Sequence, residues 1–272
     1  MWIYTPLLVL LLSNAAFLEA SNVFGLLRNQ RIVNGRPIDI KVAPWQVALL
    51  NNSEHFCGGS IVSGDIIITA AECLRNRISI AQLTVRAGSA NWNSGGQLAK
   101  VDDYRIHEHH GSETHENDIA VLKLVRPLRL GPSVQIIALA TESPEHGSDA
   151  YVSGWGIRKV RRECARPTEL HGVSLKIVER KTCALSKYSL IGWEITKDMI
   201  CATDQGRDAC GNDLGGPLVS KAQLVGVVSW AEGCAKPGYP GVYANVAYFH
   251  AWLQKAIAEL QNNYTTEQSE SV

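Results

Sequence analysis

Between residue 32 and about residue 246, apolar residues occur in short β-branched runs that are separated by turn residues. This pattern predicts many short strands and therefore an all-β barrel or sandwich. The clearest strand candidates are residues 45–50, 66–68, 121–124, 151–152 and 225–228. From Tyr248 to Leu260 the apolar period changes to that of a helix, which predicts one C-terminal helix. Residues 261–272 are polar, and we expect a frayed tail.

The composition excludes several classes of protein. A chain of 272 residues with 46% hydrophobic and 19% charged residues can bury a large core, which excludes a disordered or fibrous protein. The 26 basic residues balance the 26 acidic ones. No overall field therefore attracts nucleic acid or an anionic membrane, and we expect neither as a partner. The 7 cysteines indicate an oxidising compartment.

The first twenty residues have the pattern of a secretory signal peptide. A short apolar run follows Pro6 and precedes the small residues Ala16 and Ala20. The run is shorter than the roughly 20 residues that a membrane-spanning helix needs. We therefore predict a secreted, extracellular protein with cleavage after Ala20, or after Ala16 as the alternative.

Motifs along the chain, in order, resemble those of the trypsin-like serine proteases. The match covers residues 32–260 and implies two packed six-stranded antiparallel β-barrels with a C-terminal helix and an active-site cleft between the barrels. The motifs are Arg31-Ile32-Val33-Asn34-Gly35, Thr69-Ala70-Ala71-Glu72-Cys73, Asp118-Ile119-Ala120-Val121-Leu122, Ser153-Gly154-Trp155-Gly156, Cys210-Gly211-Asn212-Asp213-Leu214-Gly215-Gly216-Pro217, Val228-Ser229-Trp230 and Pro240-Gly241-Val242-Tyr243.

The resemblance also implies activation by cleavage. A partner protease would cut after Arg31, release residues 21–31 as a propeptide, and free the amino group of Ile32. In the family this ammonium inserts beside the aspartate that matches Asp213. A buried carboxylate without its counter-ion is costly, so the charge pair would act as a switch. The alternative is that both residues persist only as part of the inherited fold.

The family's disulfides account for six of the cysteines. The resemblance implies the pairs Cys57–Cys73, Cys183–Cys201 and Cys210–Cys234. Cys164 is left over, in a run that also contains the basic residues Arg158, Lys159, Arg161, Arg162 and Arg166. A free surface thiol and an intermolecular disulfide both remain open for Cys164. The basic run is interpreted as a solvated loop, with an acidic partner or sulfated glycan as the alternative.

Two positions of the catalytic triad depart from the family pattern. Asp118 matches the aspartate, but Glu72 stands at the histidine position and Leu214 at the serine position. Leucine has no lone pair, so an acyl-enzyme cannot form on residue 214. Asn212 replaces a glycine of the oxyanion hole, and its side chain would crowd the carbonyl oxygen.

These departures predict that the triad positions are not functional and that the chain is not an enzyme. We expect a secreted, catalytically inactive homologue that binds an extracellular protein or regulates a proteolytic pathway. This description resembles the non-catalytic serine protease homologues of insects, here without a clip domain. One alternative is an endopeptidase of trypsin-like specificity that uses a displaced catalytic group, such as His115. Another is a decoy that occupies protease inhibitors through Asp208.

The resemblance also assigns several residues to the specificity pocket. Asp208 matches the pocket-floor aspartate that makes relatives prefer arginine or lysine, and Gly241 keeps one wall open. Ala231 replaces a wall glycine, and its methyl group should narrow the slot. A gripped basic side chain and an empty vestigial pocket both remain open.

We expect no cofactor and no metal. The loop from His107 to His115 is rich in imidazole and carboxylate groups, but without a recognised ligand spacing it is interpreted as a polar surface loop. Acidic calcium ligands are not evident in residues 88–96.

Sequons begin at Asn51 and Asn263, and both predict exposed, glycosylated segments. If Glu72 faces Asp118, the two like charges should raise the pKa of one of the two carboxyls. Glu72 could instead turn outward or hydrogen-bond to His115.

Overall fold

The computed structural model describes residues 35–75, 78–156, 158–160, 163–165, 167–204, 207–210 and 212–270. The predicted signal peptide, the propeptide and the cleavage site at Arg31 and Ile32 lie outside the described residues, as does the side chain of Cys164. Residues 31–272 form one compact unit.

The described chain is mostly strand. The strands are β1 (Arg36–Pro37), β2 (Gln46–Asn51), β3 (Glu54–Ile61), β4 (Ile66–Thr69), β5 (Leu83–Ala87), β6 (Gln97–Ile106), β7 (Ala120–Leu124), β8 (Ala138–Leu139), β9 (Asp149–Gly154), β10 (Arg158–Val160), β11 (Glu163–Ala165), β12 (His171–Val178), β13 (Met199–Thr203), β14 (Pro217–Ser220), β15 (Gln223–Trp230) and β16 (Gly241–Asn245). Short 3₁₀ helices occupy Ile40–Val42, Ala71–Leu74, Ile80–Gln82 and Lys187–Ile191, and the α-helices are α1 (Arg180–Ala184) and α2 (Val246–Glu270).

Two closed antiparallel barrels account for most of these strands. The first barrel closes in the order β2-β3-β4-β7-β6-β5. The second runs β9-β12-β13-β16-β15-β14 and closes because β14 pairs back with β9. Strand β1 adds to β12, β8 adds to β15, and β10 pairs with β11. The predicted all-β fold of two six-stranded barrels with a C-terminal helix is confirmed.

The core explains why the strand sequences do not alternate. All four residues of β4, which reads Ile-Ile-Ile-Thr, are buried. A strand that is covered on both faces needs an apolar residue at nearly every position. In this fold Phe249 and Leu253 of α2 join the core cluster that includes Ile67 of the first barrel. The C-terminal helix thus covers the outside of a barrel whose inside is also filled.

Helix α2 is longer than its sequence pattern predicts. It continues to Glu270, through residues that we expected to form a frayed tail. The segment from Val246 to Glu270 contains no glycine or proline, so nothing in it breaks the helix once the apolar face has docked. Within the described residues, we find no helix with the length and apolar character needed to cross a membrane.

The structure contains the disulfides Cys57–Cys73, Cys183–Cys201 and Cys210–Cys234, which are the pairs that the resemblance implies. Cys73 lies in the 3₁₀ helix that carries Glu72, and Cys210 lies two residues after Asp208. Two of these covalent links therefore hold the segments that form the cleft.

Candidate active site

Asp118 precedes β7 and is bound by residues from both barrels. Its side chain is buried, and Oδ1 accepts the backbone N–H of Glu72 at 2.8 Å. Oδ2 accepts the hydroxyl of Ser229, on β15, at 2.5 Å. Burial raises the pKa of the Asp118 carboxyl, and the two hydrogen bonds oppose that rise. The carboxylate is therefore a fixed link between the two halves of the cleft.

Glu72 turns its carboxylate away from Asp118. Its Oε1 pairs with an Nη of Arg75 at 3.0 Å, and its Oε2 lies 3.5 Å from Nε2 of His110. His110 is held from the other side, where Nδ1 lies 3.1 Å from the carbonyl oxygen of Glu116. The structure matches none of the arrangements that the sequence left open, since the carboxylate bonds to Arg75 and its Oε2 is buried beside His110. Its partners are Arg75 and His110 rather than His115; the sequence singled out His110 only as part of the histidine-rich loop, and it did not single out Arg75.

Leu214 and Asn212 lie in the turn that leads into β14. The Leu214 side chain is half-buried and lines the cavity, while its carbonyl accepts the N–H of Gly58 at 2.7 Å. Asn212 has a left-handed backbone with φ of 73°, a conformation that asparagine tolerates better than most residues. Its side chain also lines the cavity. Neither side chain supplies a nucleophilic hydroxyl or thiol.

His115 lies on the cavity wall, where its ring forms a three-ring cluster with two tryptophans. Its ring is 5.5 Å from that of Trp193 with 15° between the planes, and 5.5 Å from that of Trp230 with 22°. The backbone at His115 is left-handed, with φ of 57°. Burial lowers the pKa of the imidazole, although the charges of Asp118 and Glu72 oppose the shift. The lowered pKa favours the neutral form of the imidazole.

Asp198 anchors the segment that carries His115. It is buried, and its Oδ2 accepts the backbone N–H of Asn117 at 2.7 Å. Its Oδ1 accepts the hydroxyl of Thr196 at 2.5 Å. Because Asp198 precedes β13 of the second barrel, it ties the loop before β7 to that barrel. No local sequence pattern indicates this role, because Asn117, the partner in the other segment, is 81 residues away.

Asp208 lies in a cavity of about 400 Å³ that is bounded by Ala231 and Gly241 on its walls. Only 2% of Asp208 is exposed; Oδ2 accepts the N–H of Ala235 at 3.1 Å, whereas Oδ1 has no hydrogen-bond partner among the described residues. Burial raises the pKa of the Asp208 carboxyl to about 7. A Cβ on Gly241 would lie 2.5 Å from Oδ1, so the cavity requires glycine there. The sequence placed all three residues at this pocket, and the structure brings them together.

Asp213 is fully enclosed behind the same turn. Its Oδ1 accepts the N–H of Gly156 at 2.7 Å, and its Oδ2 accepts that of Cys210 at 2.9 Å. Burial raises the pKa of this carboxyl to about 6, against the effect of those two bonds. Its expected partner, the amino group of Ile32, lies outside the described residues.

The histidine-rich loop does not act as one cluster. His107 packs against the ring of Trp252 with 4.8 Å between centroids, His110 faces Glu72, and His115 faces the cavity. In the part of the chain that the structure describes, no three His, Cys, Asp or Glu side chains are grouped to hold a metal ion. The three imidazoles therefore have separate surroundings.

The two sequons differ in how much of them is described. Asn51 ends β2 and is half-buried, and the next residues, Asn52 and Ser53, form a hairpin turn with left-handed backbones. Asn51 is thus less exposed than the sequence predicted. Asn263 lies in α2, and its side chain is outside the described part.

Two closed β-barrels, a buried aspartate between them and an aspartate-floored cavity define the trypsin-like class of serine protease fold. A family model for trypsin matches residues 32–253. Trypsin alpha of Drosophila erecta is 48% identical over 223 residues, which cover 82% of this chain and 86% of the relative. Trypsin alpha of Drosophila melanogaster is 47% identical with the same coverage, and trypsin of Sarcophaga bullata is 42% identical over 85% of this chain and 90% of its own. The chain belongs to the trypsin family.

These relatives contradict the prediction of a catalytically inactive homologue and of a chain that is not an enzyme. Proteins named trypsins match most of the chain at 42–48% identity. The prediction depends on Glu72, Leu214 and Asn212. Those residues bear on one covalent route, in which residue 214 is the nucleophile, and not on peptide recognition or on hydrolysis by water. The endopeptidase alternative fits the family better.

Proposed function

We propose that this chain is an endopeptidase of trypsin-like specificity that acts on polypeptides beside an arginyl or lysyl residue and uses a displaced catalytic group. The observation that carries the proposal is the buried Oδ1 of Asp208, which has no hydrogen-bond partner among the described residues, in a cavity lined mostly by apolar groups. A buried carboxylate without a cation is unfavourable, and a guanidinium or ammonium group would supply the missing partner.

His115 is the displaced group that the geometry favours. It lines the same cavity, its Nδ1 is buried without a hydrogen-bond partner in the described chain, and burial lowers the imidazole pKa. A neutral imidazole can accept a proton from water as the oxygen attacks the peptide carbonyl carbon. The imidazolium then returns that proton to the leaving amine, so the peptide bond is hydrolysed without a covalent intermediate. This route does not involve the side chain of Leu214.

The test uses protein with its disulfides formed and cut after Arg31, assayed on arginyl and lysyl peptides. We expect hydrolysis that is lost in Asp208→Asn and reduced at least about 100-fold in His115→Gln, the usual range for a general base. A serine-reactive phosphonate should leave the natural chain unlabelled. The double variant Glu72→His with Leu214→Ser is the positive control, because it supplies the residues of the serine route and should be labelled and active.

The outcomes distinguish between the absence of hydrolysis, a wrong assignment of His115 and a functional pocket alone. If the double variant cleaves peptides and the natural chain does not, hydrolysis by a displaced group is wrong. If the natural chain cleaves them and His115→Gln is equally active, the site of water activation has been assigned to the wrong residue. Loss of cleavage in Asp208→Asn with no change in His115→Gln supports the pocket alone.

The location, activation and glycosylation of the enzyme are proposed from sequence features. We propose a secreted, extracellular protein whose activating protease cuts after Arg31 and whose substrates are extracellular polypeptides; the apolar leader and the Arg31-Ile32 junction support this. Glycans at Asn51 and Asn263 belong to the same proposal. Mass spectrometry of the secreted protein would give the mature amino terminus and the glycan masses together.

A further inference from the structure

Two atoms of the kind that bind metals face each other at the edge of the cleft. Oε2 of Glu72 and Nε2 of His110 are 3.5 Å apart, and both atoms are buried. Neither has a hydrogen-bond partner among the described residues. Only 7% of the His110 side chain is exposed, so water does not freely solvate its ring nitrogen. A buried polar atom without a partner is costly, and here two such atoms lie side by side.

The hydrogen bond on the other side of the His110 ring decides which nitrogen is free. Nδ1 lies 3.1 Å from the carbonyl oxygen of Glu116. A carbonyl oxygen can only accept, so Nδ1 carries the hydrogen, and in the neutral imidazole Nε2 presents its lone pair to the Glu72 carboxylate. These two groups repel each other unless a cation lies between them. An imidazole that donates from its other nitrogen to a backbone carbonyl is the usual form of a metal-bound histidine.

The carboxylate of Glu72 is also oriented by its neighbours. Its other oxygen, Oε1, pairs with Arg75 at 3.0 Å, and its backbone N–H donates to Asp118 at 2.8 Å. The 3₁₀ helix that carries Glu72 is held by the Cys57–Cys73 disulfide. Carboxylates that bind metals are themselves hydrogen-bonded by surrounding groups. Both candidate ligands are therefore positioned before any ion binds.

The separation of the two atoms fits two ligands of one tetrahedral ion. Zn²⁺ binds imidazole nitrogen at about 2.0–2.1 Å and carboxylate oxygen at about 2.0–2.2 Å, which places two tetrahedral ligands about 3.4 Å apart. Ca²⁺ and Mg²⁺ prefer oxygen ligands and suit a mixed pair less well. The Glu72 side chain is 24% exposed, so an ion can enter from that side and water can fill its remaining positions.

We propose that Glu72 and His110 form a zinc site at the edge of the cleft, with water in the other coordination positions. The site goes beyond the proposed function and does not depend on hydrolysis. The expectation of no metal was based on the spacing within the histidine-rich loop, whereas these two ligands come from separate segments. A bound ion would join the 3₁₀ helix of Glu72 to the loop that also carries His115, and would hold that loop in place.

The experiment titrates Zn²⁺ into the disulfide-bonded chain, prepared without a histidine tag, by calorimetry. We expect one ion per chain. The variants Glu72→Gln and His110→Ala should each weaken binding at least about 100-fold, since even the loss of an outer-shell partner costs about 10–100-fold. The matched control is His109→Ala, which removes an exposed imidazole from the same loop and should bind Zn²⁺ as the natural chain does. Mg²⁺ should bind the natural chain much more weakly than Zn²⁺ does.

Melting temperatures separate loss of the site from loss of the fold. Without metal, Glu72→Gln keeps the shape of the side chain and should melt close to the natural chain. An ion that binds only the folded state raises its stability, so Zn²⁺ should raise the melting temperature of the natural chain and of His109→Ala. It should not raise that of Glu72→Gln or His110→Ala.

Three results would overturn the inference. If Zn²⁺ does not bind the natural chain, Glu72 and His110 form only an ion pair. If Zn²⁺ binds Glu72→Gln as tightly as the natural chain, the ligands are wrong. Benzamidine, an arginine mimic that would fill the Asp208 cavity, should not displace the ion, and displacement would put the ion in that cavity instead. Absence of peptide cleavage with Zn²⁺ binding intact would contradict only the proposed function.

Discussion

The raised pKa of Asp208 predicts that binding of a basic ligand depends on pH. In the free protein the carboxyl titrates at about 7, so it is largely neutral below that pH. Burial stabilises the protonated form, and a bound amidinium stabilises the ionised form. Binding must therefore release a proton at low pH and little or none at high pH. Affinity should rise with pH through 7 and then level off.

The size of the effect follows from the same value. The apparent dissociation constant is multiplied by one plus the ratio of protonated to ionised Asp208. With a pKa of about 7, this factor is close to 1 at pH 8, about 2 at pH 7 and about 100 at pH 5. The loss between pH 8 and pH 5 corresponds to about 2.7 kcal/mol of binding free energy.

Calorimetric titration of benzamidine at pH 5, 6, 7 and 8, in two buffers of different ionisation enthalpy, measures both the affinity and the released proton. Asp213 and His115 also titrate below neutral pH, so benzamide, a neutral ligand of similar shape, provides the control and should show no such slope. An affinity for benzamidine that is flat between pH 5 and pH 8, or a slope that benzamide shares, would refute the assignment of the cation to Asp208.

Three further changes test the site and the fold. Gly241→Ala places a methyl group 2.5 Å from Oδ1 of Asp208 and should weaken benzamidine binding about 10–100-fold and lower the melting temperature; unchanged affinity by calorimetry would contradict the steric role of this wall. Replacing Cys183 and Cys201 together by alanine should lower the free energy of unfolding by about 3 kcal/mol in urea titrations, because the bridge closes a loop of 18 residues; a change below about 1 kcal/mol would contradict this. Asp198→Ala removes the acceptor of two hydrogen bonds and should cost about 2 kcal/mol and speed amide exchange in the loop before β7, whereas unchanged exchange would exclude an anchoring role.

The fold was largely predictable from the sequence because its signals are local. The isoleucines of β4 and the valines of β15 mark strands by composition, and the ordered motifs indicate the rest. The end of α2 was not predictable, since polar residues such as Gln261 suit a frayed tail and a solvent-facing helix equally well. Docking of the preceding apolar face decided between them.

The candidate site also has parts that the sequence predicts and parts that it does not. Asp118, Asp208 and Asp213 can be assigned from the sequence motifs around them, but the orientation of the Glu72 side chain cannot. That orientation depends on Arg75 and on His110, whose position is set by a backbone carbonyl across the loop. The prediction of an inactive chain is wrong for a related reason, because Glu72, Leu214 and Asn212 are single positions in a family match that covers most of the chain.

The two hydrogen bonds to Asp118 join chain segments that are 46 and 111 residues away. The bond to Glu72 lies within the first barrel, whose own strands pair over similar separations, but the bond to Ser229 joins the two barrels and forms only after both have closed and packed together. The cleft should therefore be the last region to become protected during refolding. Each barrel could be nearly complete while the aspartate still faces water, and a chain interrupted at that stage would have a trypsin-like core without a trypsin-like site.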